Sequence, residues 1–267
     1  MFSPFKVEMP RLPTLAFAMI SSKPWSIEAV ARLFLGVIVT LCCGVLLAGL
    51  LEKAKARLGL SADQLQFTQM MVLIALFQGA ALIWIAVFLR QSNISWREAF
   101  GLRPSSRART VAAGLAVGVL VLPIMWLLQM LSEQVMDWLK LNPVAQSAVT
   151  ELQNAALTGP EKFLFAVFTI LLVPIAEEAL FRGILYPTIK QKGHPRWALW
   201  GTSLVFGIMH LNMVSLVPLV LLAVLLVFLY ESSGSLLAPI ATHGMFNAAN
   251  VFYLLFPDWI DHLFHLP

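Results

Sequence analysis

Long apolar stretches separated by short charged segments run through this chain of 267 residues. The stretches are Leu33–Leu51, Met70–Leu89, Val111–Leu131, Phe163–Ile189, Trp197–His210, Met213–Tyr230 and Leu236–Phe256. A helix rising about 1.5 Å per residue needs about 20 residues to cross a hydrocarbon core of roughly 30 Å, and most of these stretches reach that length. The pattern predicts an all-α fold, a polytopic membrane helix bundle of about seven transmembrane helices, with six to eight as the range. Trp197–His210 is short for a full crossing, and Asn212 marks a tight turn into the next helix. Ahead of Arg32, Leu12–Ile20 is too short to span and contains Pro13, so residues 1–32 read as an N-terminal cytoplasmic or interfacial segment. Residues 33–256 then form the membrane bundle, and 257–267 a C-terminal tail.

Composition agrees with that setting. Hydrophobic residues make up 59% of the chain and charged ones 12%, outside the usage of globular domains. A net charge of +4 would suit nucleic acid if the cations clustered, but they lie in loops between apolar helices, where they set topology. The expected partner is the lipid bilayer, not nucleic acid. The Arg90–Arg109 loop carries Arg90, Arg97, Arg103, Arg107 and Arg109 against Glu98 alone, and the next basic loop carries Lys190, Lys192 and Arg196. Both are expected in the cytoplasm, with the mixed Ser132–Lys162 connection outside. Lys53, Lys55 and Arg57 fit that orientation badly. Cys42 and Cys43 are neighbours on one helix and point about 100° apart, so they read as packing cysteines rather than a disulfide or metal pair. Gly114 and Gly118 make a small-residue packing face.

Against this apolar background, ionisable groups at membrane depth are functional hypotheses by default. Glu177, Glu178 and Arg182 fall within the apolar run that starts at Phe163. His210 ends FGIMH, and His243 lies in a helix with Asn247 one turn on, so the last two share a face. Glu178 and Arg182, four apart with the acid first, are placed for an intrahelical ion pair. Glu177 points about 100° away and is left free to act as a base on water. The tail residues Asp258, Asp261, His262 and His265 read as a solvated tail. No H-E-x-x-H occurs, no aspartate lies inside a span, and Ser235 falls in an SSGS turn, which argues against zincin, two-aspartate and serine chemistry. Glu177, His210 and His243 are three ligands of the kind a catalytic zinc uses with water in fourth place, yet a metal-free Glu–His water site uses the same residues. Buried Glu, Arg and His also build proton-coupled transporters, though no inverted repeat is present.

EEALFRG (177–183), FGIMH (206–210) and HGMFN (243–247) resemble the EE-x-x-x-R, F-x-x-x-H and H-x-x-x-N motifs of the CPBP family, which comprises CAAX prenyl endopeptidase and bacteriocin-processing-type intramembrane proteases. All three motifs are intact and in order, and the resemblance covers about residues 160–255, the expected protease core. It implies an all-α membrane bundle and an intramembrane endopeptidase acting on membrane-associated or lipid-modified peptides. The implied site residues are Glu177, Glu178, Arg182, His210, His243 and Asn247. A divalent metal, Zn2+ by the family's usual description, would sit on Glu177, His210 and His243. The expected location is a multi-pass position in the membrane, the inner one if the source is prokaryotic. The alternatives are a proton-coupled transporter and an inactive membrane scaffold.

Overall fold

The computed structural model describes residues 23–102, 107–141 and 158–256, and all regular structure among them is helical. In chain order the helices are α1 (Ile27–Leu58), α2 (Ala62–Gln91), the short α3 (Trp96–Ala99), α4 (Arg107–Trp138), α5 (Gly159–Lys190), α6 (Pro195–Met209), α7 (Met213–Ser233) and α8 (Leu237–Leu255). Local chemistry sets their starts. The Ser26 hydroxyl accepts from the Ala29 amide, Ser61 and Gln64 form a reciprocal capping box, and Asn212 accepts from the Ser215 amide at 3.0 Å.

Five helices, α1, α2, α4, α5 and α7, are long and apolar enough to cross a membrane. The other two expected spans are helices as well, but α6 has 15 residues and α8, with 19, carries Thr242, His243, Asn247 and Asn250. Those two are the helices that supply the histidines, so polar content and shortness coincide with the chemistry. On the outer faces, Leu46, Leu120 and Phe163 are 70–72% exposed. Such surface is solvated by lipid, and the chain is an integral, multi-pass membrane protein. Cys42 and Cys43 also lie exposed on α1, contrary to the packing role expected of them. The buried stripe of α1 runs through Leu33, Val37, Gly44 and Ala48, and the cysteines fall on the opposite side. The tail cluster from Asp258 to His265 lies outside the described residues.

One end of the bundle gathers four chain segments. The Lys23 amide donates to Gln191 Oε1 at 2.8 Å, its ammonium donates to the Ala99 carbonyl at 2.6 Å, and Trp25 Nε1 donates to Thr188 Oγ1 at 2.9 Å. Burial pulls the Lys23 ammonium below its ordinary range, with Glu98 pulling the other way. The Leu236 amide bonds to the Phe100 carbonyl at 3.0 Å, tying the α7–α8 turn to the segment after α3. There Gly101 has φ +65°, and a Cβ on it would stand 1.9 Å from the Gly234 carbonyl oxygen, so only glycine fits. The two basic segments thus share one end, as strict alternation of the helices requires.

The same end holds a buried cluster absent from the sequence reading. Glu231, fully buried at the end of α7, accepts from the Tyr186 hydroxyl at 2.7 Å and pairs with Lys190.

α5 is the element that positions the site, and it is not a uniform α-helix. Phe168–Leu172 and Ala179–Leu185 are π-helical, closed by the bonds from the Val173 amide to the Phe168 carbonyl and from the Tyr186 amide to the Phe181 carbonyl. Each widened stretch stops just before a proline, Pro174 or Pro187, whose missing N–H would otherwise strand a carbonyl in the ladder. The glutamate pair sits between the two. α8 is held across the core by α4: Thr242 Oγ1 donates to the Gly114 carbonyl at 2.8 Å. A Cβ on Gly114 would stand 2.5 Å from the Ala238 oxygen, so the glycine face read from the sequence is the α4–α8 contact.

Candidate active site

Glu178 projects from α5 into the protein and is fully buried. Its Oε1 accepts from Arg182 at 2.8 Å and from His243 Nδ1 at 2.9 Å. Arg182, 2% exposed, also donates to the Ala223 carbonyl of α7 at 3.2 Å and lies 4.5 Å from the Phe206 ring centroid. Four helices, α5, α6, α7 and α8, are therefore joined through one ion pair. A carboxylate paired with a guanidinium only accepts, so His243 must hold its proton on Nδ1. Nε2, the other ring nitrogen, faces Glu177.

Glu177 lies on the adjacent face of α5. Its Oε1 accepts from Gln78 Nε2 of α2 at 3.2 Å, and its Oε2 stands 3.9 Å from His243 Nε2. That gap is too long for a direct hydrogen bond. An oxygen placed between the two atoms would bridge them. Glu177 Oε2, Glu178 Oε2 and Gln78 Oε1 are buried without a partner. All are acceptors, so the site is short of donors, and a water or a substrate amide would supply them.

Phe206 is the hub of the histidine side. Its ring centroid lies 4.9 Å from that of His210, 5.7 Å from that of His243 and 5.4 Å from that of Phe181. His210 ends α6 instead of continuing it, with its Nδ1 against the Phe206 carbonyl at 2.8 Å, and Leu211 turns the chain with φ 50°. Asn247 donates to the Thr169 carbonyl in the first π stretch at 2.9 Å, pinning α8 to α5. Of the residues expected from sequence, Glu178, Arg182 and His243 are bonded together, and Glu177 stands 3.9 Å from His243. His210 joins them through Phe206, and Asn247 is bonded to α5 backbone. Ser235 serves its own turn, its hydroxyl accepting from the Leu237 amide at 3.3 Å.

Both imidazoles are engaged at Nδ1, and Nε2 is the atom a metal would use. Among the described residues, however, no group of three His, Cys, Asp or Glu side chains is gathered closely enough to hold an ion.

Gln78 is the member that the motifs do not announce. It is the only amide, hydroxyl or charged side chain between Met70 and Leu89. That isolation in an apolar run was the available signal.

Residues 159–249 match the family model described as type II CAAX prenyl endopeptidase Rce1-like. That segment contains EEALFRG, FGIMH and HGMFN. An uncharacterised protein of Bacillus subtilis (strain 168), YpbD, is 33% identical over 86 residues, which are 31% of this chain and 41% of that protein. The similarity thus spans about two fifths of the relative's length. No solved structure matches the chain.

Proposed function

We propose that this protein is an intramembrane endopeptidase that hydrolyses peptide bonds with a water activated by Glu177. The observation that carries the reading is the buried, unpartnered Oε2 of Glu177 facing Nε2 of His243 at 3.9 Å. Glu177 takes one proton of the bridging water while its oxygen attacks the scissile carbonyl carbon, and His243 holds the water's second hydrogen. The proton on Glu177 then passes to the leaving amine as the C–N bond breaks. Glu178 and Arg182 make no bond to the reacting atoms in this scheme. They hold His243 in one tautomer and in one place. His210 packs against the Phe206 ring, which also meets His243.

The match to a CAAX prenyl endopeptidase model supports a membrane-associated peptide as substrate, with lipidated peptides as one class. Purified protein in detergent, offered a quenched fluorescent peptide library, tests the activity. Cleavage by the wild type and none by Glu177→Gln is expected. Turnover retained by Glu177→Gln would reject this mechanism.

A second reading adds a divalent ion, Zn2+ first. It rests on the family resemblance, which implies Glu177, His210 and His243 as the donors; among the described residues these three are not gathered closely enough to hold an ion.

A further inference from the structure

Gln78 belongs to α2, outside the segment matched by the family model, yet its amide reaches the centre of the site. It is 4% exposed and donates through Nε2 to Glu177 Oε1 at 3.2 Å, while its own Oε1 is buried without a partner. A glutamine kept only to lock two helices together would satisfy both ends of its amide, because a half-satisfied buried amide costs stability. Here one end alone is used, and it is used on the proposed base. Glu177 needs such a hold. Its neighbour Glu178 is fixed by Arg182 and His243, whereas Gln78 is the partner that fixes which oxygen of Glu177 is turned away from His243. The groups around Glu177 are His243 from α8, Glu178 and Arg182 from α5, and the uncharged Gln78 from α2, while His210 packs on Phe206.

We infer that Gln78 is a positioning residue for Glu177: its amide engages Oε1 so that Oε2 is presented to water and to His243. The N-terminal half of the bundle therefore completes a site whose named motifs all lie in the C-terminal half. This inference rests on the proposed endopeptidase reading for its kinetic consequence and on geometry alone for its structural one.

Gln78→Met keeps the shape and removes both polar atoms. In the peptide assay its kcat is expected to fall about 10- to 100-fold, the usual cost of losing a supporting hydrogen bond, with KM and thermal midpoint unchanged. Gln78→Asn, which keeps an N–H donor on a shorter arm, is expected to fall between Gln78→Met and the wild type. If Gln78→Met fails to fold, Gln78→Asn carries the kinetic test. Infrared spectroscopy supplies a readout that needs no turnover: the carboxyl band assigned to Glu177, by its loss in Glu177→Gln, is expected to shift in Gln78→Met. An unshifted band with unchanged kcat would overturn the inference. An inactive Glu177→Gln beside a fully active Gln78→Met would overturn it while leaving the endopeptidase reading intact. A wild type that cleaves nothing, with the band shift present, would reject the endopeptidase reading and keep the positioning role.

Discussion

Glu178 and His243 meet through one hydrogen bond, Nδ1–H to Oε1 at 2.9 Å, and that bond decides which nitrogen of the imidazole is left for chemistry. The same oxygen carries the Arg182 contact, so the charge that holds the arginine also sets the histidine tautomer. The two adjacent glutamates thus occupy different environments within one turn of helix. Glu178 is saturated at Oε1 by two cationic or polar donors. Glu177 has a single amide donor and an open oxygen.

That contrast predicts separable phenotypes. Glu177→Gln should remain folded and lose at least about 10²–10⁴-fold in kcat, the range a positioned general base supplies. Glu178→Gln should lose activity and stability together, because it strands Arg182 and releases His243. Thermal unfolding in detergent beside the peptide assay checks both. A near-normal Glu177→Gln with a well-folded, inactive Glu178→Gln would reverse the assignment of roles.

Arg182→Ala should be the most destabilising single change at the site. It leaves the Glu178 carboxylate buried and without its countercharge, a loss of about 3–5 kcal/mol in buried pairs. Arg182→Lys should not restore the protein fully, since one ammonium cannot reach Glu178, the Ala223 carbonyl and the Phe206 face as the planar guanidinium does. Unfolding midpoints measured for both variants decide it, and an Arg182→Ala protein as stable as the wild type would count against a structural pair.

Much of this is legible in the sequence. The glutamates, Arg182 and the two histidines stand out because an ionisable side chain in an apolar run is rare, and rarity is read directly from sequence. The helix content follows from the length of the apolar runs. What the sequence hides has a physical cause in each case. The π stretches in α5 depend on how carbonyls near Pro174 and Pro187 find donors, which periodicity does not report. Glu231 sits at the end of an apolar run, where a charge usually reaches water, and its burial depends on Tyr186 and Lys190 of another helix. Gln78 is 99 residues from its partner, and no local pattern links the two. Membrane surroundings also reverse the usual inference from apolar residues to burial, which is why Cys42 and Cys43 face outward.

The proposed metal dependence has its own test. The metal reading requires that 1,10-phenanthroline remove turnover and that added Zn2+ restore it. Loss of Zn2+ binding in His210→Ala would name His210 as a donor independently of activity. Chelator-resistant turnover by a preparation without stoichiometric metal would reject the ion and leave Glu177 and His243 acting on water alone.

The last prediction concerns a contact between α4, outside the family-matched segment, and α8, inside it. α4 meets α8 so closely at Gly114 that an added Cβ would stand 2.5 Å from the Ala238 carbonyl oxygen and 2.9 Å from the Ala241 Cβ. Neither neighbour is the far end of a flexible side chain, so the helices must part. The Gly114 carbonyl also accepts from Thr242, the residue before His243. Separation at this level therefore moves the imidazole away from Glu177 and Glu178. Gly114→Val should cost about 1–3 kcal/mol as an overpacking change and should reduce kcat by more than that loss of folded protein explains. Gly49→Val, at a position where an added Cβ meets nothing within 4 Å, serves as the control and should leave kcat unchanged. Equal activity per folded molecule in the two variants would show that the α4–α8 contact supports the bundle but not the position of His243.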